Sequence, residues 1–189
     1  MMDRPSQTFA TAQDWLDWLT EQHTTSPGIW IQFAKKDSGI ASVTYPEAVD
    51  LALRHGWIDA QKASLDAEYW LQRFVPRGPR SVWSRVNRDR ALELIEAGLM
   101  TPTGLAEVER ARADGRWDRA YEPASTITVP PDLQAALEAE PAALAFFATL
   151  TGANRYAVLY RIQDAKRPQT RATRIAAFVA MLAEGKTLH

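Results

Sequence analysis

The chain is 189 residues long, 46% hydrophobic and 24% charged, with 22 lysines and arginines against 23 acids. That balance excludes a disordered chain, which is poorer in apolar residues and further from neutrality, and it leaves room for one large domain or two small ones. Seven tryptophans are present and cysteine is absent, which removes disulfides, zinc–thiolate sites, iron–sulfur clusters and thiol catalysis together. The first ten residues are polar and expected to fray. Thr11 with Asp14 three residues later reads as an N-cap, opening a helix to about Gln22 whose apolar face is Trp15, Leu16, Trp18 and Leu19. After Ser26-Pro27-Gly28 the run Ile29-Trp30-Ile31-Gln32-Phe33-Ala34 is β-branched and aromatic and reads as a strand, stopped by Lys35-Lys36-Asp37-Ser38-Gly39.

Thr44-Tyr45-Pro46-Glu47 is a capping box with proline in the first turn, and Gly56 suits the position just past that helix. Trp57-Ile58-Asp59-Ala60 reads as a short strand, and residues 68–75 alternate well enough for a third, which Pro76 closes. Beyond Arg77-Gly78-Pro79-Arg80 the chain turns helical. One helix is expected from Ser81 or Ser84 to about Ala97, with Val86, Ala91, Leu94 and Ile95 inward. The next opens at Thr101-Pro102, carries Leu105, Val108, Ala111 and Arg112, and ends at Gly115. Residues 116–130 have little periodicity and read as a linker. The remainder reads as three or four short helices near 132–139, 142–150, 153–165 and 169–184. The expected fold is therefore α+β. A small antiparallel or mixed sheet with helices spans residues 11–115, and after the linker an all-helical unit spans residues 131–186.

The near-zero net charge hides segregation. Residues 73–90 carry six arginines and one acid, a net of +5, and residues 155–174 carry five arginines, one lysine and one acid, again +5. Ten basic and twenty-one acidic residues remain elsewhere, a net of −11. Arginine's planar fork binds phosphate or carboxylate in bidentate fashion and stacks on rings, which lysine cannot do. These segments nominate Arg73, Arg77, Arg80, Ser81, Arg85, Lys166, Arg167, Arg171 and Arg174 as an anion-binding set, with Trp57 and Trp83 as an aromatic platform. The competing reading is structural: basic runs pair with the chain's own acids, and a tryptophan beside an arginine is most often packing.

Catalytic signals are weaker. His55 and Asp59 flank a turn and are spaced to form an acid/base pair, or His55 is simply a partly buried histidine held cationic by its helix C-terminus. No His-x-x-x-His, EF-hand loop, Walker A, Gly-x-Gly-x-x-Gly or Gly-x-Ser-x-Gly is present, so neither a metal nor a cofactor is expected. No run approaches the roughly 18 to 20 apolar residues of a membrane span. The opening Met-Met-Asp-Arg-Pro has neither a basic nor an apolar leader region, so a cytoplasmic location without membrane attachment is expected.

Several ordered motifs carry a resemblance. Gly28-Ile29-Trp30-Ile31, Thr44-Tyr45-Pro46-Glu47-Ala48-Val49-Asp50, Gly56-Trp57-Ile58-Asp59 and Arg73-Phe74-Val75-Pro76-Arg77 are among them. So are Arg80-Ser81-Val82-Trp83-Ser84, Asp114-Gly115-Arg116-Trp117 and Ala165-Lys166-Arg167-Pro168-Gln169-Thr170-Arg171. Together, over residues 12–186, the chain resembles the YdeI/OmpD-associated (OmdA-like, bacteriocin-protection) family. The resemblance implies a bacterial protein with a protection phenotype and assigns no catalytic residue; His55 departs from the family pattern. The expectation is a cytosolic stress- or bacteriocin-protection protein, non-enzymatic, whose Arg/Trp cleft binds an anionic partner. That partner is a nucleic acid, a phosphorylated metabolite or an acidic protein. The alternatives are an enzyme acting on a phosphorylated or carboxylated small molecule, with Asp59 as general base, and a protein-interaction module built on the C-terminal helices.

Overall fold

The structure, a computed structural model, describes residues 6–188. Thr11 caps the first helix, α1 (Ala12–Gln22), in a complete capping box: its side chain accepts from the Asp14 N–H while the Asp14 carboxylate accepts from the Thr11 N–H. Thr44 and Glu47 repeat the device at α2 (Tyr45–Arg54). Both helices bury alternate turns. Trp15 and Leu19 of α1, and Ala48, Leu51 and Ala52 of α2, close over Ile31, Phe33 and Phe74 of the sheet. The Trp15 indole is completely buried and its Nε1 donates to the Ala48 carbonyl at 3.1 Å, so a side chain of the largest kind in the core is also hydrogen-bonded across two helices.

The sheet is mixed and four-stranded, in the order β1 (Ser6–Thr8), β2 (Ile29–Ala34), β4 (Tyr69–Pro76), β3 (Trp57–Ser64). β1 runs parallel to β2, and both other pairings are antiparallel. This is the α+β class read from the sequence, with two corrections. Residues 6–8 are a strand rather than a frayed end, because pairing along an edge uses backbone groups and asks little of side chains. Gln32 Nε2 also donates to Ser6 Oγ at 2.9 Å, and Phe9 is buried against Trp15. Residues 1–5, expected to fray with them, lie outside the described residues. β3 is twice the expected length, its alternation broken by a register shift between Asp59 and Lys62.

Helices α3 (Arg85–Glu96) and α4 (Pro102–Ala113) follow. In α3, Ala91 and Leu94 are buried and Ile95 half-buried, but Val86 faces solvent. In α4 the buried stripe is Gly104, Val108 and Ala111, one position round from the expected Leu105 and Arg112, both exposed. The cause is the close approach of α4 to the end of α2. Thr101 donates from its N–H (3.0 Å) and its hydroxyl (2.7 Å) to the Arg54 carbonyl, while its hydroxyl oxygen caps α4 by accepting from the Gly104 N–H. Gly104 therefore sits under the α2 terminus, where a larger residue has no room.

The chain divides into two compact units, one running through Trp83 and again over Asn87–Arg119, the other comprising Ser84–Val86 and the chain from Ala120 onward. Residues 116–119, read as the start of a linker, belong to the first unit, where Trp117 is buried. In the second unit α5 (Pro131–Glu138), α6 (Pro141–Thr149), α7 (Gly152–Gln163) and α8 (Pro168–Ala183) enclose a core of Leu133, Leu137, Phe147, Leu159, Ile162 and Leu182. Prolines in the first turn of α5, α6 and α8 mark three of those starts. Among the described residues no helix is long and apolar enough to cross a membrane.

Candidate functional site

The arginine–tryptophan segment after β4 forms a cluster inside the first unit. Arg77 continues from β4, its N–H donating to the Gly56 carbonyl at 3.0 Å. The loop then closes on itself, the Ser81 N–H donating to the Gly78 carbonyl (3.0 Å) and the Gly78 N–H to Ser81 Oγ (3.1 Å). This fold-back sets the Arg77 guanidinium 3.6 Å above the Trp83 ring, and both side chains are buried, at 4% and 1% exposure. The edge of Trp83 meets Trp117 with ring centroids 4.9 Å apart, and Arg112 lies over Trp117.

The segment from α4 to Trp117 supplies the other half. Arg110 Nη2 donates to the Arg77 carbonyl at 3.1 Å and also pairs with Glu107. Arg116 Nη1 donates to the Ser81 carbonyl at 2.7 Å, and its Nε to Asp114. Burial pushes the Glu107 carboxyl up from its ordinary range, against the opposing pull of Arg110, Arg77 and Arg116. Arg110 is thus paired with a poorly solvated carboxylate on which the Arg77 and Arg116 charges also act. Arg110 Nε, Arg116 Nη2 and Trp83 Nε1 are inaccessible and have no hydrogen-bond partner among the described residues. All three are donors. Buried donors without acceptors are rare in folded proteins, and ordered water commonly satisfies those that protein groups do not.

The other nominated residues are placed differently. Arg80 is exposed, as are Lys166 and Arg167, and none of the three forms an ion pair among the described residues; Arg73 is half-buried on β4 opposite Trp30 and forms none either. Arg85 is paired with Glu122 at 3.0 Å. Arg171 grips Asp132 through Nε and Nη2 (2.5 and 2.8 Å) and donates from Nη1 to the Ile162 carbonyl, so it ties α8 to α5 and α7. That bond holds the Asp132 carboxyl below its usual range. Arg174 donates to the Arg161 carbonyl and lies 3.6 Å from Asp164. Neither Trp57 nor Trp83 offers a ring face as a platform: both are 1% exposed, and the Trp57 Nε1 is spent on the His23 carbonyl.

The proposed pairing of His55 with Asp59 does not form. Asp59 accepts from the Tyr45 hydroxyl at 2.7 Å, while His55 Nδ1 sits 2.8 Å from the Leu51 carbonyl and the ring packs against His23. Nor is His55 held cationic by its helix end. Burial lowers its pKa, with lesser contributions of the same sign from His23 and Arg54 that outweigh the bond to Leu51. The folded protein therefore resists a proton that the unfolded chain accepts below about pH 6.5. Stability is complete above that value and falls as pH drops through it. In thermal melts from pH 7.5 to 5.5, part of the loss of Tm should disappear in His55→Asn; an unchanged slope would remove His55 from the account.

Arg110, Arg116 and Glu107 were not nominated from the sequence. The signal that points to them is local: Glu107, Arg110 and Asp114 recur at helical spacing just before Arg116-Trp117. Charge density over long windows passes over it.

Residues 7–107, more than half of the chain, match the family model described as a domain of unknown function, DUF8412. The chain belongs to that family. Residues 126–185 match the model described as Bacteriocin-protection, YdeI or OmpD-Associated, so the resemblance read from the sequence is shown, carried by the second unit. The motifs quoted for it between residues 28 and 84 lie within the DUF8412 match instead. No curated protein and no solved structure matches the chain. Of the cluster residues, Arg77, Ser81, Trp83 and Glu107 lie within the DUF8412 match, and Arg110 and Arg116 just beyond it.

Proposed function

We propose that the protein is a cytosolic binding protein serving a bacteriocin-protection-type role, and that its partner carries an anionic group received by the arginine–tryptophan cluster of the first unit. Membership of the second unit in the YdeI/OmpD-associated family supports the role. The observation that carries the binding reading is the set of buried donors at Arg110, Arg116 and Trp83, which present N–H groups and no acceptor. Arg80, exposed in the same loop and without an ion pair among the described residues, is placed to attract an anion from solution. Arg171 is excluded from this role because its fork is filled by Asp132.

The test is thermal unfolding in inorganic phosphate at constant ionic strength. A ligand that binds only the folded state stabilises it by about 2.7 kcal/mol at a hundredfold excess over Kd. Wild type should gain stability saturably, and Arg116→Gln should lose most of that gain. Equal stabilisation of both proteins, or of neither, would contradict the reading.

A further inference from the structure

The second unit carries an open groove of about 670 Å³ between α5 and α8. Its apolar lining is made largely of small side chains: Ala172, Ala176, Val179, Ala180 and Ala183 from α8, with Ala136 from α5. Ala172, Ala176 and Ala180 recur every fourth residue and are exposed, so one face of the 16-residue α8 lies bare. A continuous apolar face left open in this way marks an interaction surface. The alanines also restrict its shape. The distance between packed helices follows the size of the side chains at the contact, so this face admits a helix at the close end of the usual range, about 8 Å between axes.

The two ends of the groove differ in charge. At the N-terminal end of α8, Asp132 and Arg171 are spent on each other. That leaves Lys166 and Arg167, exposed beside Pro168 and without an ion pair among the described residues. Both cations stand at the positive end of their own helix, where they are disfavoured. Glu140 lines the groove toward the other end. It directly precedes α6, and Phe146, about 9 Å further along that helix, has its ring edge 4.0 Å from where a Cβ on Gly185 would lie, just beyond α8. Glu140 is exposed and likewise has no ion pair among the described residues.

A groove that is basic at one end, acidic at the other and apolar between is complementary to itself under a two-fold rotation. With the axis at Ala176, in the middle of α8, two copies set Lys166 and Arg167 of one subunit against Glu140 of the partner subunit, twice over. The alanine faces then meet at the centre, and the two helix dipoles lie antiparallel, each basic end against a negative helix terminus. We propose that this groove is the interface of a homodimer, formed by α8 packing antiparallel on α8 across a two-fold axis near Ala176. The charges select a second copy as the occupant, because a helix carrying one sign throughout is opposed at one end of the groove. The proposal is independent of the anion-binding reading, which concerns the first unit.

Analytical ultracentrifugation of the full chain over a wide range of concentration tests it. Wild type should pass from monomer to dimer as concentration rises. Ala176→Arg, a change at an exposed position, should stay monomeric while melting within a few degrees of wild type. Glu140→Lys and Arg167→Glu should each weaken the dimer about tenfold at low ionic strength, since each sets like charges together at both ends of the interface. An equimolar mixture of these two single variants should associate again, because opposite charges then meet across the axis, and no effect within one chain can produce that recovery. A monomer at every concentration would overturn the proposal and leave the groove to a different protein. A dimer that Ala176→Arg leaves intact would overturn it as well, as would single variants that fail to associate when mixed.

Discussion

Gly104→Ala should destabilise the first unit by roughly 3 kcal/mol, the upper range for forcing a methyl into a filled site. The residue lies in the first turn of α4, where an added Cβ runs into the carbonyl oxygen of Arg54 and stands 2.8 Å from Met100 Cε and 2.9 Å from the Arg54 carbonyl carbon. The Met100 side chain can swing aside. The Arg54 carbonyl cannot, because it ends α2 and accepts both bonds from Thr101. Relief requires α4 to slide along α2, which breaks those bonds. Helix propensity works the other way, since alanine is favoured over glycine by about 1 kcal/mol in a helix interior, so a net loss isolates the clash. Gly152→Ala is the control: a Cβ there meets nothing within 4 Å, and the change should be neutral or slightly stabilising. Urea unfolding of the two variants decides the matter, and equal midpoints would mean that α2 and α4 are not in contact as described.

Trp15→Ala should cost about 3 to 5 kcal/mol. The indole is wholly buried and touches rings on four sides: Phe9 at 5.1 Å, Trp18 at 5.2 Å, Phe74 at 5.6 Å and Trp57 at 6.5 Å between centroids. Its removal opens a cavity between α1, α2 and the sheet, and leaves the Ala48 carbonyl without its side-chain donor. Trp15→Phe keeps most of the volume and loses the hydrogen bond, so it should cost less than half as much. Loss of near-ultraviolet circular dichroism at a much lower denaturant concentration would be the signature. A cost near 1 kcal/mol for the alanine variant would show that this aromatic group is not the centre of the core.

The elements with their own punctuation were legible in the sequence. The capping boxes at Thr11 and Thr44, the proline-led starts of the second unit and the β-branched run 29–34 each state their structure within a few residues. What escaped depends on distant partners. Residues 6–8 become a strand because β2 offers a backbone edge, and the buried stripe of α4 is turned from Leu105 to Gly104 by the end of α2. The site followed the same division. Arginine and tryptophan in residues 77–83 were visible as a charge run, but a charge run does not say which cations are already matched. Arg85, Arg171 and Arg174 are held by Glu122, Asp132 and Asp164, and Arg110 and Arg116 by Glu107 and Asp114, but the last two each keep one inaccessible donor without a partner among the described residues. Trp83, read as a stacking surface, instead lies beneath Arg77, its face covered and its N–H inaccessible, without a partner among the described residues.

The most direct measurement observes that N–H. In a ¹⁵N-labelled sample the Trp83 indole resonance, assigned through Trp83→Phe, is followed while inorganic phosphate is added at fixed ionic strength. The Trp83 signal should shift downfield saturably as its donor acquires an acceptor. Those of Trp15 and Trp57, already bonded to the Ala48 and His23 carbonyls, should stay in place. A Trp83 resonance that does not move, or moves no more than those two, would show that the buried donors receive no anion and would contradict the central claim.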